Sequence, residues 1–280
     1  MNGGIHMKRI LSVFLLVALC LSGSVFSAAA VTGNAAPAPL EIGFSDCNGV
    51  KIEYAIYGNR ANEPLVLLPS NGNSMHEFDG NVLSGLSEHY MVITVSPRGS
   101  GRSDRGEGRL TFEVMCDDLL CLLDNLHIER TRIFGFSDGG NLGIVFTCRY
   151  PERVSRLAIM GANINTRGTK TIDQIGIVVK YWFLCLKAMI TDSYDAQLER
   201  DIQGMMVGQP NLTFDDLAKI NIPVLNIYGE HDMIKRSHSK QITKSIPNAE
   251  ELMVIGGAHS SCFDFTDTVL LPKLLEFFAK

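Results

Sequence analysis

The chain has 280 residues, with 25 basic and 30 acidic side chains for a net charge of −5, and 46% of its residues are apolar. No lysine and arginine cluster is interleaved with aromatics, which argues against a nucleic-acid partner. No G-x-x-x-x-G-K-[ST], H-E-x-x-H or C-x-x-C spacing occurs, so a P-loop, a zinc-protease helix and a structural zinc site have no support, and neither a metal nor a cofactor is expected.

At the N-terminus Lys8 and Arg9 precede an apolar run from Ile10 to Phe26, and the small residues Ser27 to Ala30 follow it. This is the layout of a signal peptide cleaved near Ala30, so residues 1–30 are expected to be removed from a secreted or periplasmic protein. If retained, residues 10–26 approach the length of a spanning helix and would anchor the chain to a membrane. The stretch "NAAPAP", Asn34 to Pro39, marks a linker over 31–40. About 250 residues then remain, which suits one large domain over 41–280. Export makes disulfides possible, but Cys47, Cys116, Cys121, Cys148, Cys185 and Cys262 are too scattered for a stapled framework and read mostly as small buried residues.

Along the domain, Gly43 to Asp46 spells "GFSD" and runs through Cys47, Asn48 and Gly49 into the alternating "KIEYAIYG", a strand, a turn and a second strand. Next come "PLVLLP" (Pro64 to Pro69), "YMVITV" (Tyr90 to Val95), "TRIFGF" (Thr131 to Phe136), "RLAIMG" (Arg156 to Gly161), "PVLNIYG" (Pro223 to Gly229) and "ELMVIGG" (Glu251 to Gly257). These runs are apolar on both faces and alternate with helix-length segments, including Thr111 to Leu126 and Lys235 to Ser245. The pattern predicts an α/β fold whose mostly parallel sheet is covered by helices on both sides, with the hairpin adding antiparallel strands at one edge. From about 165 to 220 the alternation stops, and helical segments follow one another without a strand. "IGIVVKYWFLCLKAMI", Ile175 to Ile190, is apolar nearly all round apart from Lys180 and Lys187. Such a helix is expected to be covered on more than one side, either as a core helix or as a lid whose inner face lines an apolar pocket. Its charges and length disfavour membrane insertion.

The letters "GFSD" recur at Gly135 to Asp138, this time between a short apolar run and the helix-like "SDGGNLGIVFTCRYP", which Pro151 stops. A G-x-S-x-G serine on a strand-to-helix turn is held at an exposed apex, and small residues two before and two after it let strand and helix approach. That context selects Ser137 over Ser45. A serine hydroxyl needs a base, and the base needs an orienting acid. In a parallel α/β sheet the helpers belong at the carboxyl ends of later strands. Asp232 follows "PVLNIYGEH" and His259 follows "ELMVIGGA", in the chain order Ser, Asp, His. His231, on the same tight loop as Asp232, is the weaker base; His76, His89, His127 and His238 read as surface or helix residues. Glu230 reads as a loop residue, and Asp264 and Asp267 follow His259 too closely to orient it.

With these residues in place, the sequence resembles the α/β-hydrolase superfamily along nearly all of residues 41–280. "GFSDGGN" looks like its nucleophile elbow, "SPRGSGRS" like its D-x-R-G-x-G-x-S turn, "YGEHDMI" like its acid loop and "GGAHSS" like its histidine loop. "GFSDGGN…YPERVSRLAIMGAN" is most similar to the branch of biphenyl-hydrolase-like and valacyclovir-hydrolase-like esterases. The resemblance implies Ser137 as nucleophile, His259 as general base then acid, and Asp232 as orienting carboxylate. It also implies a helical lid, about 165–220, before the last two strands.

An oxyanion needs two fixed N–H donors. The backbone of Asp138, where the helix begins, is one, and the Asn71 N–H after "PLVLL" is the other. Relatives usually carry His-Gly where this chain has Pro69 and Ser70, and proline has no N–H while serine is stiffer than glycine. A second departure is Ser96 and Pro97, where relatives commonly have an aspartate and a small or aromatic residue; this alters loop support. The Asp138 side chain reads either as a contact for a cationic substrate group or as a helix N-terminal carboxylate favoured by the dipole.

The expected activity is hydrolysis of a small carboxylic ester, or a thioester or activated amide, with an apolar acyl or alcohol part, through an acyl-enzyme. Serine at the elbow argues against routes that use a carboxylate nucleophile. Carbon–carbon bond hydrolysis, acyl transfer and perhydrolysis use the same triad. A ligand-binding protein on a hydrolase scaffold is the alternative from another class, supported by the altered oxyanion loop.

Overall fold

The computed structural model describes residues 37–280. The expected leader at 1–30, the anchor alternative at 10–26 and most of the linker lie outside the described residues. Eight strands form one sheet: β1 (Glu41–Cys47), β2 (Val50–Tyr57), β3 (Pro64–Leu68), β4 (Met91–Val95), β5 (Thr131–Phe136), β6 (Val154–Met160), β7 (Val224–Gly229) and β8 (Ala249–Val254). Their spatial order is β1-β2-β4-β3-β5-β6-β7-β8. β1 and β2 are antiparallel and close through Asn48 and Gly49, both at positive φ, the conformation a two-residue hairpin turn needs. β2 joins β4 antiparallel, and every later pairing is parallel.

Strands β3 to β7 are largely apolar on both faces because both faces are covered. On one side Ile52, Val66, Ile93 and Ile133 pack with α2 (Phe112–Asn125) and α3 (Asp138–Arg149), together with Ile242 of α7 (Arg236–Ser245). On the other, Leu65, Leu67 and Phe134 pack with α1 (Asn81–Ser87) and α8 (Leu271–Ala279). Alternate residues of one strand thus enter opposite layers, the period of two at work.

Between β6 and β7 the chain forms α4 (Thr171–Thr191), α5 (Tyr194–Gly208) and the single turn α6 (Phe214–Leu217), with no strand among the described residues. Neither core packing nor cover on several sides describes α4. Of its side chains only Ala188 is buried. One neighbour, α5, takes its inner face: the Gln203 Nε2 donates to Ile177 O at 3.2 Å, and the Gln174 Nε2 to Met206 O at 3.1 Å. The strand expected over 251–257 ends at Val254, because Gly256 takes φ 73° and turns the chain toward His259.

The turn at 96–103, with Ser96 and Pro97 at its start, is held from β2. The Ser96 hydroxyl donates to Glu53 Oε2 at 2.9 Å and accepts the Met75 N–H at 3.1 Å. The Arg102 N–H also donates to Glu53 Oε2. A β2 carboxylate therefore does the work from the next strand. Arg98 makes a bidentate pair with Asp118 of α2, both bonds 2.6 Å and both groups buried.

Candidate active site

β5 runs into α3 through one residue, Ser137, whose φ of 54° and ψ of −119° are rarely adopted by a residue with a side chain. The conformation is imposed by close packing. A Cβ on Gly135 would meet Gly139 O at 2.2 Å, and one on Gly139 would meet Leu68 O at 2.0 Å, so only glycine fits on either side of the serine. Ser137 N–H donates to Met160 O at 2.7 Å, which ties the elbow to the end of β6.

Because β5 to β8 are parallel neighbours, their carboxyl ends share one edge. There Ser137, Asp232 and His259 meet. Ser137 Oγ lies 2.9 Å from His259 Nε2, and His259 Nδ1 lies 2.7 Å from Asp232 Oδ1. An ionised carboxylate only accepts, so Nδ1 carries the proton and Nε2 is left to accept from the serine. Asp232 is buried. Burial is the largest influence and pushes its carboxyl up, but the bond and charge of His259 and the N–H groups of Ile234 and Gly229 outweigh it and hold it below its ordinary value. The Phe136 ring packs 5.1 Å from the His259 ring, centroid to centroid. Gly161, at φ 63°, leaves space for that imidazole: a Cβ there would sit 2.9 Å from His259 Cε1.

The other groups weighed from the sequence stand elsewhere. Ser45 lies in β1, accepts from Asn125 Nδ2 at 2.8 Å and is not brought to a histidine. His89, His127 and His231 are exposed. His76 pairs with Asp79 at 3.0 Å. His238 accepts the Ile164 N–H at 3.2 Å, and burial, with Lys235 adding, lowers its pKa to about 4. Glu230 caps the turn at Gly256 N–H. Asp267 holds the Asn81 side chain.

The loop after β3 is fastened in a way the sequence did not suggest. Glu77, on a short 3-10 turn (Met75–Phe78), accepts from the Ser70 N–H, from the Ser70 hydroxyl at 2.6 Å and from Asn73 Nδ2 at 2.7 Å. Burial, the largest influence, raises its pKa above the ordinary carboxylate value despite these bonds. The Ser70 N–H is thus spent on Glu77, while the Asn71 N–H has no acceptor among the described residues. The Asp138 N–H, in the first turn of α3, has none within its helix.

The residues bearing these two donors are also linked. Asn71 Nδ2 donates to Asp138 Oδ2 at 2.8 Å, and Asn141 Nδ2 donates to Asp138 Oδ1 at 2.9 Å. Burial again raises the carboxyl, more than these bonds lower it. Both Asp138 oxygens serve the protein's own amides, so its side chain fastens the loop to the helix. Glu77, Gly161 and Asn141 were not singled out from sequence. Gly161, closing a predicted strand at the active edge, was the one with a usable signal.

The lid element α5 closes over this loop. Asn71 Nδ2 also donates to Ile202 O at 3.0 Å, and Arg105 pairs with Asp201. Beside Asn71 and Asp138 a cavity of about 20 Å³ remains, walled in part by Phe112, Met115, Leu142, Ile202 and Met205. It is of the order of one water. A cavity of about 630 Å³ opens between α4, α5 and Arg109, and none of Ser137, Asp232 and His259 lines either it or the smaller one.

The model of the α/β-hydrolase fold family matches residues 63–207. Human serine hydrolase BPHL is 25% identical over 245 residues, covering 82% of this chain and 84% of the relative. Proline iminopeptidase PfmaB of Pestalotiopsis fici is 26% identical over 275 residues, 81% of this chain and 96% of that protein. Among solved structures, the enol-lactonase of Burkholderia xenovorans superposes with a TM-score of 0.69 at 22% identity, over 85% of this chain and all of that one. The 2-hydroxy-6-oxo-6-phenylhexa-2,4-dienoate hydrolase of a Rhodococcus strain gives 0.70 at 17%, over 86% and 100%. A family match spanning more than half the chain, on a sheet of this order, makes the protein a hydrolase of the α/β-hydrolase family, in the branch that includes BPHL.

Proposed function

We propose that the protein is a serine hydrolase that cleaves a small carboxylic ester through an acyl-enzyme on Ser137. The observation that carries this reading is the unbroken line Ser137 Oγ to His259 Nε2 and His259 Nδ1 to Asp232, at 2.9 and 2.7 Å. As Oγ attacks the carbonyl carbon, Nε2 takes its proton and Asp232 stabilises the imidazolium that forms. The Asn71 and Asp138 N–H groups donate to the oxyanion, Asp138 with the favourable end of the α3 dipole behind it. The imidazolium then protonates the leaving alkoxide. Water, deprotonated by the same nitrogen, attacks the acyl carbon and frees the acid and Ser137.

Apolar walls from Phe112, Met115, Leu142 and Met205 favour an apolar acyl or alcohol part. Thioesters and activated amides fall within the same chemistry. The N-terminal segment supports action outside the cytoplasm.

The test is fluorophosphonate labelling, with mass spectrometry locating the adduct, followed by a screen of esters of graded length. An adduct on Ser137 that is lost in His259→Ala, together with ester turnover, is expected. A folded protein that takes no label would favour a binding role on a hydrolase scaffold. Labelling without ester turnover, but with cleavage of a carbon–carbon bond beside a carbonyl, would move the substrate class.

A further inference from the structure

We propose that the outer face of α4 is a dimer interface that pairs with the same helix of a second copy, antiparallel about a two-fold axis. The stripe that points away from the protein is made of Ile172, Ile175, Trp182, Leu186, Met189 and Ile190. Ile172 and Met189 are each 74% exposed and Trp182 is 68% exposed. At about 100° per residue these positions share an arc of roughly 120°, the seam of a packing helix turned outward. Six large side chains this open present on the order of 800 Å², about what each partner gives to a standard interface and more than a typical monomer leaves in one patch.

A membrane span does not suit α4, because its other face is fastened to α5: the Tyr181 ring lies against Gly204, and Lys187 pairs with Glu199 at 2.6 Å. Charge selects a copy of this chain over a lipid surface. Asp192 and Asp195 stand exposed around the C-terminal end of the stripe, where Lys187 and Glu199 offset each other, Lys170 stands exposed at its N-terminal end, and the chain carries −5 overall. An anionic bilayer meets repulsion at one end. An antiparallel copy meets the opposite charge at both.

A two-fold axis level with residues 180–182 sets Ile172 against Ile190 and Lys170 against Asp192, each twice. Each Lys170 then faces a helix C-terminus and each Asp192 a helix N-terminus, the arrangement helix dipoles favour. A crossing angle of about 20° keeps both ends within side-chain reach over a helix of about 30 Å. The contact is isologous, so it closes at two copies.

Sedimentation velocity of the full chain at micromolar concentration tests this. A dimer is expected, and Trp182→Glu is expected to weaken it about tenfold or more with circular dichroism unchanged. Lys170→Glu is expected to weaken it as well, and Lys170→Glu combined with Asp192→Lys to restore it. A wild-type monomer overturns the proposal. A dimer indifferent to Trp182→Glu overturns it too, placing the interface elsewhere. A monomer that sediments with phosphatidylcholine and phosphatidylglycerol vesicles, and loses this in Trp182→Glu, makes a lipid surface the occupant instead.

Discussion

Ser137 holds a backbone conformation at φ 54° and ψ −119° that costs a residue with a side chain about 1–3 kcal/mol. Glycine at that position relaxes the strain and removes the proposed nucleophile, whereas alanine removes only the hydroxyl. Chemical denaturation should find Ser137→Gly about 1 kcal/mol more stable than Ser137→Ala, with ester turnover lost in both. Equal stabilities would mean the elbow is unstrained. Glu77 makes a second prediction, and here pH sets the sign. Its folded pKa is raised, so the folded state holds the proton more tightly than the unfolded one, and the wild type loses stability as pH rises from the ordinary carboxylate value through the raised one. Glutamine does not titrate. Thermal melts should therefore show the wild type gaining on Glu77→Gln as pH falls from neutral toward that ordinary value. At neutral pH the variant also loses one acceptor for the Ser70 and Asn73 donors, and its kcat should drop about tenfold while KM moves little, because the loop that carries the Asn71 N–H loosens. An unchanged kcat would sever Glu77 from the oxyanion site.

The elements around the site are fixed by contacts between backbones. β5, the start of α3 and the end of β3 meet at Gly135, Gly139 and Leu68, so Gly139→Ala drives a methyl into the Leu68 carbonyl. Denaturant unfolding should register a loss of about 3 kcal/mol; an alanine tolerated within a few tenths would mean the elbow has slack. The lid is held by side chains: Ile202 and Met205 pack on the core, Asn71 bonds to Ile202 O, and one ion pair joins Arg105 to Asp201. About 20 Å³ is open beside Asn71 and Asp138, under Ile202 and Met205 of α5, so a substrate group placed there displaces α5. Arg105→Ala removes the pair to Asp201, and its kcat/KM for bulky esters should rise severalfold, with the smallest ester changing little. A fall for all esters alike would make Arg105 a support of the site and not of the lid. In the sequence β5 and the elbow were plain, since an apolar run ending in a glycine-flanked serine has few other readings. The exposed face of α4 was not. Its composition is the same in a core or on a surface, and only the number of neighbouring elements tells them apart.

Over the whole molecule the sheet order does the organising. β5, β6, β7 and β8 are adjacent and parallel, so residues at 137, 161, 232 and 259 reach one edge although the serine and histidine lie 122 positions apart. The antiparallel edge is joined to this body by carboxylates: Glu53 of β2 carries the turn at 96–103, and Asp118 of α2 holds Arg98 with both groups buried. Asp118→Ala leaves that guanidinium unpaired away from water and should cost about 3–5 kcal/mol, against under about 1 kcal/mol for breaking the exposed Lys187–Glu199 pair, both read from denaturant melts. Similar losses would mean Arg98 finds water or another partner. The sequence by itself determined the strands, the elbow and the order of serine, acid and histidine, because apolar period and glycine placement report local backbone geometry. It also pointed to Asn71 and Asp138 as the proposed oxyanion donors, but not to how the loop at Pro69 and Ser70 is held. Only the tertiary structure decided that Glu77 and Asp138 fasten this loop, that α5 closes on it and that α4 turns an apolar stripe outward. Those outcomes depend on which elements the sheet order makes neighbours, and a one-dimensional pattern carries no record of that.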